Sequence, residues 1–346
     1  SDCLDRRAKA RWQNPLPQGN TLSGVSFIDA NTGTAVGVCG TIIRTEDGGQ
    51  NWVIQTSGTT KQLSGVSFTD VNVGYAVGEA GTILKTDNGG ITWTQQQSGV
   101  VEKSLNDVCF IDANTGWVVG GNWDGSPSVI LRTTDGGENW VIQTSGTTGY
   151  LSGVSFTDAN TGTAVGGYPN KILRTTDGGN NWIPQTSGRT NTLDGICFKD
   201  ANNGTDVGEH GKIIRTTNGG NNWASQTSGT TNTLNGVSFT DLNNGTAVGQ
   251  TGTIVRTTDG GNNWIPQTSG TGLTLLSVSF NDANIGTVVG EHGKILRTTD
   301  GGENWISQSS AVTIFQLNGV FISDANTGWV VGMAGTIIKT IDGGNN

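Results

Sequence analysis

Tryptophan returns along this chain at a nearly constant interval, and that interval leaves few folds open. Trp52, Trp93, Trp140, Trp182, Trp223, Trp264 and Trp305 are separated by 41, 47, 42, 41, 41 and 41 residues, and each closes a GG-x-x-W element. Thr-x-Asp/Asn-x-Gly runs ahead of each, as in Thr45-Glu46-Asp47-Gly48-Gly49, with Asn88 and Asn218 replacing the acid in the second and fifth copies. An eighth copy, Thr340 to Asn346, stops one residue short of its tryptophan. Self-similarity of this length marks a repeat architecture, in which a unit too small to stand alone buries its faces against its neighbours.

The missing piece lies at the other end. Trp12-Gln13-Asn14-Pro15-Leu16-Pro17-Gln18-Gly19 matches the segment that follows each motif, such as Trp264-Ile265-Pro266-Gln267-Thr268-Ser269-Gly270. The sequence is a circle cut inside one repeat, and strand exchange between the termini closes such a ring without an open edge. Four short strands fit one copy: Leu22–Phe27, Thr34–Gly37, Thr41–Thr45, and a last one from Trp52 to about Thr56. Val25 and Phe27 share a face by period-two alternation. The expectation is an all-β chain: a basic tail over residues 1–11, then one eight-bladed β-propeller over 12–346. Its blades are four-stranded, and the N-terminal strand completes the last of them.

Composition agrees. With 56 Gly and 14% charged residues, the chain lacks the Ala/Leu/Glu/Lys runs of long amphipathic helices. No apolar run approaches a membrane span, and a formal charge of −9 argues against a nucleic-acid partner. Cys3, Cys39, Cys109 and Cys197 are too scattered for a disulfide framework or a zinc site. Cys109 and Cys197 take a strand position that is Ser26, Ser67, Ser155 or Ser238 elsewhere; Cys3 and Cys39 could staple the tail to the first blade. Ser1 in place of Met fits a processed secreted or periplasmic chain, and fits a trimmed one equally.

Ser/Thr-x-Asp-x-Gly-x-x-Trp is the Asp-box, or bacterial neuraminidase repeat. With V-x-F-x-D-x-N-x-G and G-T-I-L-R-T-T-D-G-G, the pattern resembles the family that includes photosystem II stability/assembly factors, over essentially all of residues 12–346. That resemblance implies a propeller that holds a client rather than one that performs chemistry. The chain departs from it in having eight repeats where seven are expected of the photosynthetic members.

The recurrent residues have structural roles to fill. The Asp-box acid can accept N–H groups in a tight turn while its tryptophan fills the space between blades. Asp29, Asp70, Asp112, Asp158, Asp200, Asp241, Asp282 and Asp324 open D-x-N-x-G turns. The opening is that of a calcium loop, but position twelve from Asp29 is Gly40, so an Asx turn is the better account. Eight residues before each tryptophan stands a cation: Arg44, Lys85, Arg132, Arg174, Arg215, Arg256, Arg297 and Lys339. On the third strand such a ring would lie between blades, stacking on tryptophan and bonding turn carbonyls, rather than lining the channel as an anion site.

Function is therefore sought where the repeat breaks. The turns between strands two and three should share one face of the disc with the blade-to-blade connectors. On that face blade three carries a long insertion, Gly120-Gly121-Asn122-Trp123-Asp124-Gly125-Ser126-Pro127-Ser128. Tyr150 lies in the next connector, Tyr168 in the loop of blade four, and Glu209 and His210 on blade five. Aromatic residues on adjacent loops predict a recognition patch for a protein or peptide client, for another copy of the chain, or for a carbohydrate. The alternative is that Trp123 merely folds its own loop down. The rival function is self-assembly through the tail or the first strand.

Catalysis has little support in the residues. His210 and His292 share one repeat position without a nucleophile beside them. Glu79, Glu209 and Glu291 recur as a possible acidic rim without marking an acid/base pair. Outside the tail, every arginine except Arg189 belongs to the cation ring, so a sialidase-like arginine cluster is missing. No enzyme activity, cofactor or metal is expected.

Overall fold

Thr, Val and Ile between Gly-bearing turns give short strands, and each repeat folds as an antiparallel meander paired in chain order. The computed structural model describes residues 20–29, 31–47, 51–122, 124–166, 171–185, 193–200, 202–280, 282–308, 315–322 and 326–340. In blade one the strands are Leu22–Phe27, Gly33–Gly37, Ile42–Thr45 and Val53–Gln55. Trp52 was expected to open the fourth strand but instead ends the Asp-box turn and points inward, so the strand begins at Val53. Among the described residues eight such sheets follow one another, seven with four strands and the last with three. This is the expected eight-bladed propeller. Tail, strand 12–18 and the end of blade eight lie outside the described residues, and with them the closure by strand exchange and any Cys3–Cys39 bridge.

The ring closes through side chains all the same. Phe27 of blade one stacks on Trp329 of blade eight at 4.0 Å, and Leu22 and Ile43 share a core with Val331 and Ile337. Every junction has this character. Trp93 packs with Ala76 and Leu84 of its own blade and with Val36 and Ile42 of the blade before. The tryptophan Nε1 of Trp93, Trp182 and Trp264 donates to Gln55, Gln143 and Gln226 of the preceding blade at 3.0–3.1 Å. First strands lie innermost and almost touch: a Cβ on Gly24 would stand 2.9 Å from the Ser64 carbonyl oxygen, so the position suits glycine.

The two faces divide as expected. Gly89 N–H donates to Asn72 O and Gly178 N–H to Asn160 O, joining Asp-box turns to D-x-N-x-G turns. On the opposite face Glu79 N–H donates to Gln62 O and Gln250 N–H to Thr233 O, joining the turn after strand two to the connector.

The D-x-N-x-G turns are Asx turns: Asp158 Oδ1 accepts N–H bonds from Asn160 (2.8 Å) and Thr161 (2.9 Å), and Asp29, Asp70, Asp112, Asp200, Asp241 and Asp282 repeat the pattern. Asp324 lies outside the described residues. In the Asp-box, Asp177 accepts from Thr175 Oγ1 and from the N–H of Asn181, while Thr175 Oγ1 takes the N–H of Gly179. The side-chain amides of Asn139 and Asn181, then their backbone N–H groups, hold Asp135 and Asp177 at about 2. The Asn304 N–H does the same for Asp300, also at about 2. A carboxyl depressed on folding contributes stability above its unfolded value, near 4, and loses it as pH falls through its native one. The melting temperature is therefore expected to drop between about pH 4 and pH 2. Asp135→Asn/Asp177→Asn/Asp300→Asn, which copies Asn88 and Asn218, should flatten that limb, and an unchanged slope would refute the assignment.

Several members of the cation ring tie one blade to the next. Arg44 lies over Phe68 of the next blade at 5.2 Å and donates to Val71 O at 2.7 Å; Arg215 repeats this with Phe239 and Leu242 O. Turn carbonyls and aromatic faces offset the cost of burying these cations. Arg132 and Lys339 lie over tryptophans as expected, Trp117 and Trp329 of their own blades, whereas Arg44, Arg174 and Arg215 lie over first-strand phenylalanines of the next blade instead. Cys109 and Cys197 are half-buried strand thiols that burial pushes up in pKa.

Candidate functional site

Blade three departs from its neighbours between Gly116–Gly120 and Val129–Thr133, where the insertion replaces the tight turn found in blade one. Its polar residues pin it on both sides. Asn122 Nδ2 donates to Glu102 O (3.0 Å) and its Oδ1 accepts Ser104 N–H (3.2 Å), fixing it to the incoming connector. Gly149 N–H donates to Ser126 O (2.6 Å) and Pro127 bridges to Thr148, fixing it to the outgoing one. Asp124 pairs with Lys103 at 3.5 Å and accepts the Ser126 hydroxyl and N–H, which hold its carboxyl at about 2. Asp124 thus folds the insertion. The residue itself is exposed.

Tyr150 precedes blade four in sequence, yet blade three holds the chain around it. Leu151 N–H donates to Gly120 O (3.1 Å), and Asn106 Nδ2 donates to Leu151 O (2.7 Å). Asp107 Oδ2 then accepts the N–H of Val154 at 2.9 Å. The result is a recess of about 410 Å³ lined by Ser104, Asn106, Gly121, Asn122, Tyr150 and Ser152, at the inner edge of the loop face. An aromatic wall beside neutral hydrogen-bonding groups suits a polar chain with an apolar side group rather than a bare ion.

Of the six residues singled out from the sequence, the structure brings Tyr150 and Asp124 to this recess or its bounding insertion. Trp123 and Tyr168 lie outside the described residues. Glu209 and His210 occupy the tight turn of blade five, on the same face but in a separate groove lined by His210, Lys212, Ser225, Thr227 and Asn232. The recurrent glutamates serve the backbone locally: Glu79 and Glu291 accept the N–H of Gln62 and Thr274 at 3.3 and 3.0 Å. These bonds give the two glutamates a local structural role. Among the described residues no group of three His, Cys, Asp or Glu side chains could hold a metal.

Sequence reasoning missed two carboxyls that repeat alignment exposes. Asp107 stands where Gly24, Gly65, Gly153, Gly195, Gly236 and Gly319 stand in sister blades. Asp206, 0% exposed, takes a core position held elsewhere by Ala35, Ala76, Ala164 or Ala247.

Comparison with known proteins decides the family. The model of the photosynthesis system II assembly factor YCF48 matches residues 4–97, 54–143, 183–268, 225–312 and 267–346. The chain belongs to the YCF48 family. The matched stretches leave out 144–182, the segment that carries Tyr150 and most of blade four. A solved structure of YCF48 bound to D1 peptide is 20% identical, with a TM-score of 0.67 over 95% of this chain and 94% of that one. YCF48 from Cyanidioschyzon merolae is 20% identical, with a TM-score of 0.64 over 95% and 98%. The GH74 enzyme of Niastella koreensis is 14% identical, with a TM-score of 0.53 over 96% of this chain and 65% of that one. At such identities the likeness to solved structures shows the propeller fold alone. Among curated proteins none matches the chain.

Proposed function

We propose that the protein is a non-catalytic scaffold that binds an extended segment of a protein client on its loop face, anchored in the recess between blades three and four. The observation that carries this is the anchoring of Tyr150: four hydrogen bonds from blade three fix the chain on either side of a residue that blade four supplies. A pre-ordered aromatic costs little entropy on binding, which is what a peptide anchor requires. YCF48 with a bound D1 peptide, a member of the same family, supports the client class. The sister glutamates Glu79 and Glu291 are engaged in backbone capping, and no acid/base pair stands in the recess, which supports binding over hydrolysis.

Peptides selected by display against the whole chain should bind Tyr150→Ala at least about tenfold more weakly, while His292→Ala on blade seven binds normally. Equal loss at both positions, or none at Tyr150, sinks the reading. A second reading, association of copies, draws on the rim of the disc. Val53, Ile54, Val141 and Ile142 on the outer strands are 65, 56, 62 and 59% exposed. Light scattering separates the two: a 35.9 kDa particle leaves the rim unused, whereas larger ordered species assign it to self-contact.

A further inference from the structure

A carboxyl on the innermost strand of a propeller blade has little room, and six sister blades avoid one by carrying glycine. Asp107 uses the space to cross the junction. Its Oδ1 accepts the N–H of Val108 and its Oδ2 the N–H of Val154 on blade four, each at 2.9 Å. The neighbouring residue, Asn106, grips Leu151 O in the same direction. Residues 106 and 107 of blade three therefore hold the four residues that follow Tyr150.

We propose that Asp107 is a positioning residue for the recess, seating Tyr150 firmly at neutral pH and relaxing it in mild acid. The inference rests on the recess being the client site. An ionised carboxylate makes shorter, stronger bonds to N–H donors than its protonated form does. The junction is thus tightest when Asp107 is charged. Although part of the residue stays accessible, the carboxyl is walled in by strand edges, and burial pushes it up to about 6. The strands against it, Leu63–Phe68, Gly116–Gly120 and Gly153–Phe156, bear no titratable side chain. Farther elements of blade two bring Tyr75 and Glu79, and Cys109 shares its own strand; the Lys103–Asp124 pair sits on the connector and insertion. The sign for stability is opposite to that for seating. A carboxyl raised above its unfolded value near 4 favours the fold at low pH and loses that contribution as pH rises through about 6.

The test is an NMR titration of the full chain from about pH 4.5 to 7.5, following the Asp107 carboxyl carbon, the Val154 amide and the Tyr150 ring. All three should move with a common midpoint near 6. The Val154 and Tyr150 movements should vanish in Asp107→Asn and in Asp107→Gly, the latter carrying the sister-blade residue and so compatible with the fold. Display-selected peptides should bind wild type about tenfold more tightly at neutral than at mildly acid pH, and Asp107→Asn equally at both. A carboxyl titrating near 4, or Tyr150 moving identically in the variants, overturns the proposal. If Tyr150→Ala leaves peptide binding intact while the titration appears as described, the client reading fails and the Asp107 linkage stands.

Discussion

Trp182→Ala is expected to destabilise the propeller by about 3–5 kcal/mol, the range for deleting a buried aromatic side chain. Trp182 is 7% exposed and belongs to a core that also draws Trp117, Val119 and Ile130 from blade three. Its ring meets Phe156 edge-on at 5.9 Å, and its Nε1 donates to Gln143 across the junction at 3.1 Å. Alanine removes contacts from two blades at once and leaves a cavity that strands tied into neighbouring sheets cannot collapse to fill. Trp182→Phe, which keeps most of the ring but not the donor, should cost far less, on the order of 1–2 kcal/mol. Urea unfolding of the three proteins measures this. A loss under about 1 kcal/mol for Trp182→Ala would show that the tryptophan is not a packing element.

Gly249→Ala is the second large effect, about 3 kcal/mol or more, and arises from crowding instead of a void. Gly249 ends the second strand of blade six with an extended φ of −168°, so any residue could adopt its backbone angles. What excludes a side chain is the connector. An added Cβ would stand 2.0 Å from Thr233 O, the carbonyl that accepts the N–H of Gln250. That oxygen cannot retreat without breaking the bond. A Cβ on Gly37, Gly78, Gly290 or Gly332 would meet the corresponding connector carbonyl, of Thr21, Gln62, Thr274 or Gln316, at 1.9–2.2 Å, so the clash belongs to the blade design. Gly272→Ala, where nothing lies within 4 Å, is the matched control and should change stability by less than about 0.5 kcal/mol. Equal melting temperatures for Gly249→Ala and Gly272→Ala would refute the close approach.

Most of the fold was legible because the repeat states its rules eight times. Strand periodicity, Asp-box turns and Asx turns are local, involving N–H groups within four residues, so a sequence window contains all their partners. The partners of the cation ring were less legible. Arg44 meets Phe68 and Val71, and such a contact depends on how one blade leans on the next. Similarity between copies conveys that a position recurs and leaves open what it faces.

The site was legible only as an irregularity. The insertion after Gly120 and the tyrosine at position 150 stand out against the six regular turns of blades one, two, five, six, seven and eight, so the loop face and sector could be named. His210, named with that sector, lines a groove of its own on blade five rather than the recess beside Tyr150, a division that only the folded surface reveals.

The sequence by itself determined the number of blades, their meander order and which loops share a face, since all of these follow from period, strand length and turn chemistry. Tertiary structure alone decided that blade three seats Tyr150 and that the Asp107 carboxylate spans to Val154. Those bonds join residues about 45 positions apart, across an edge that exists only once two sheets stand side by side.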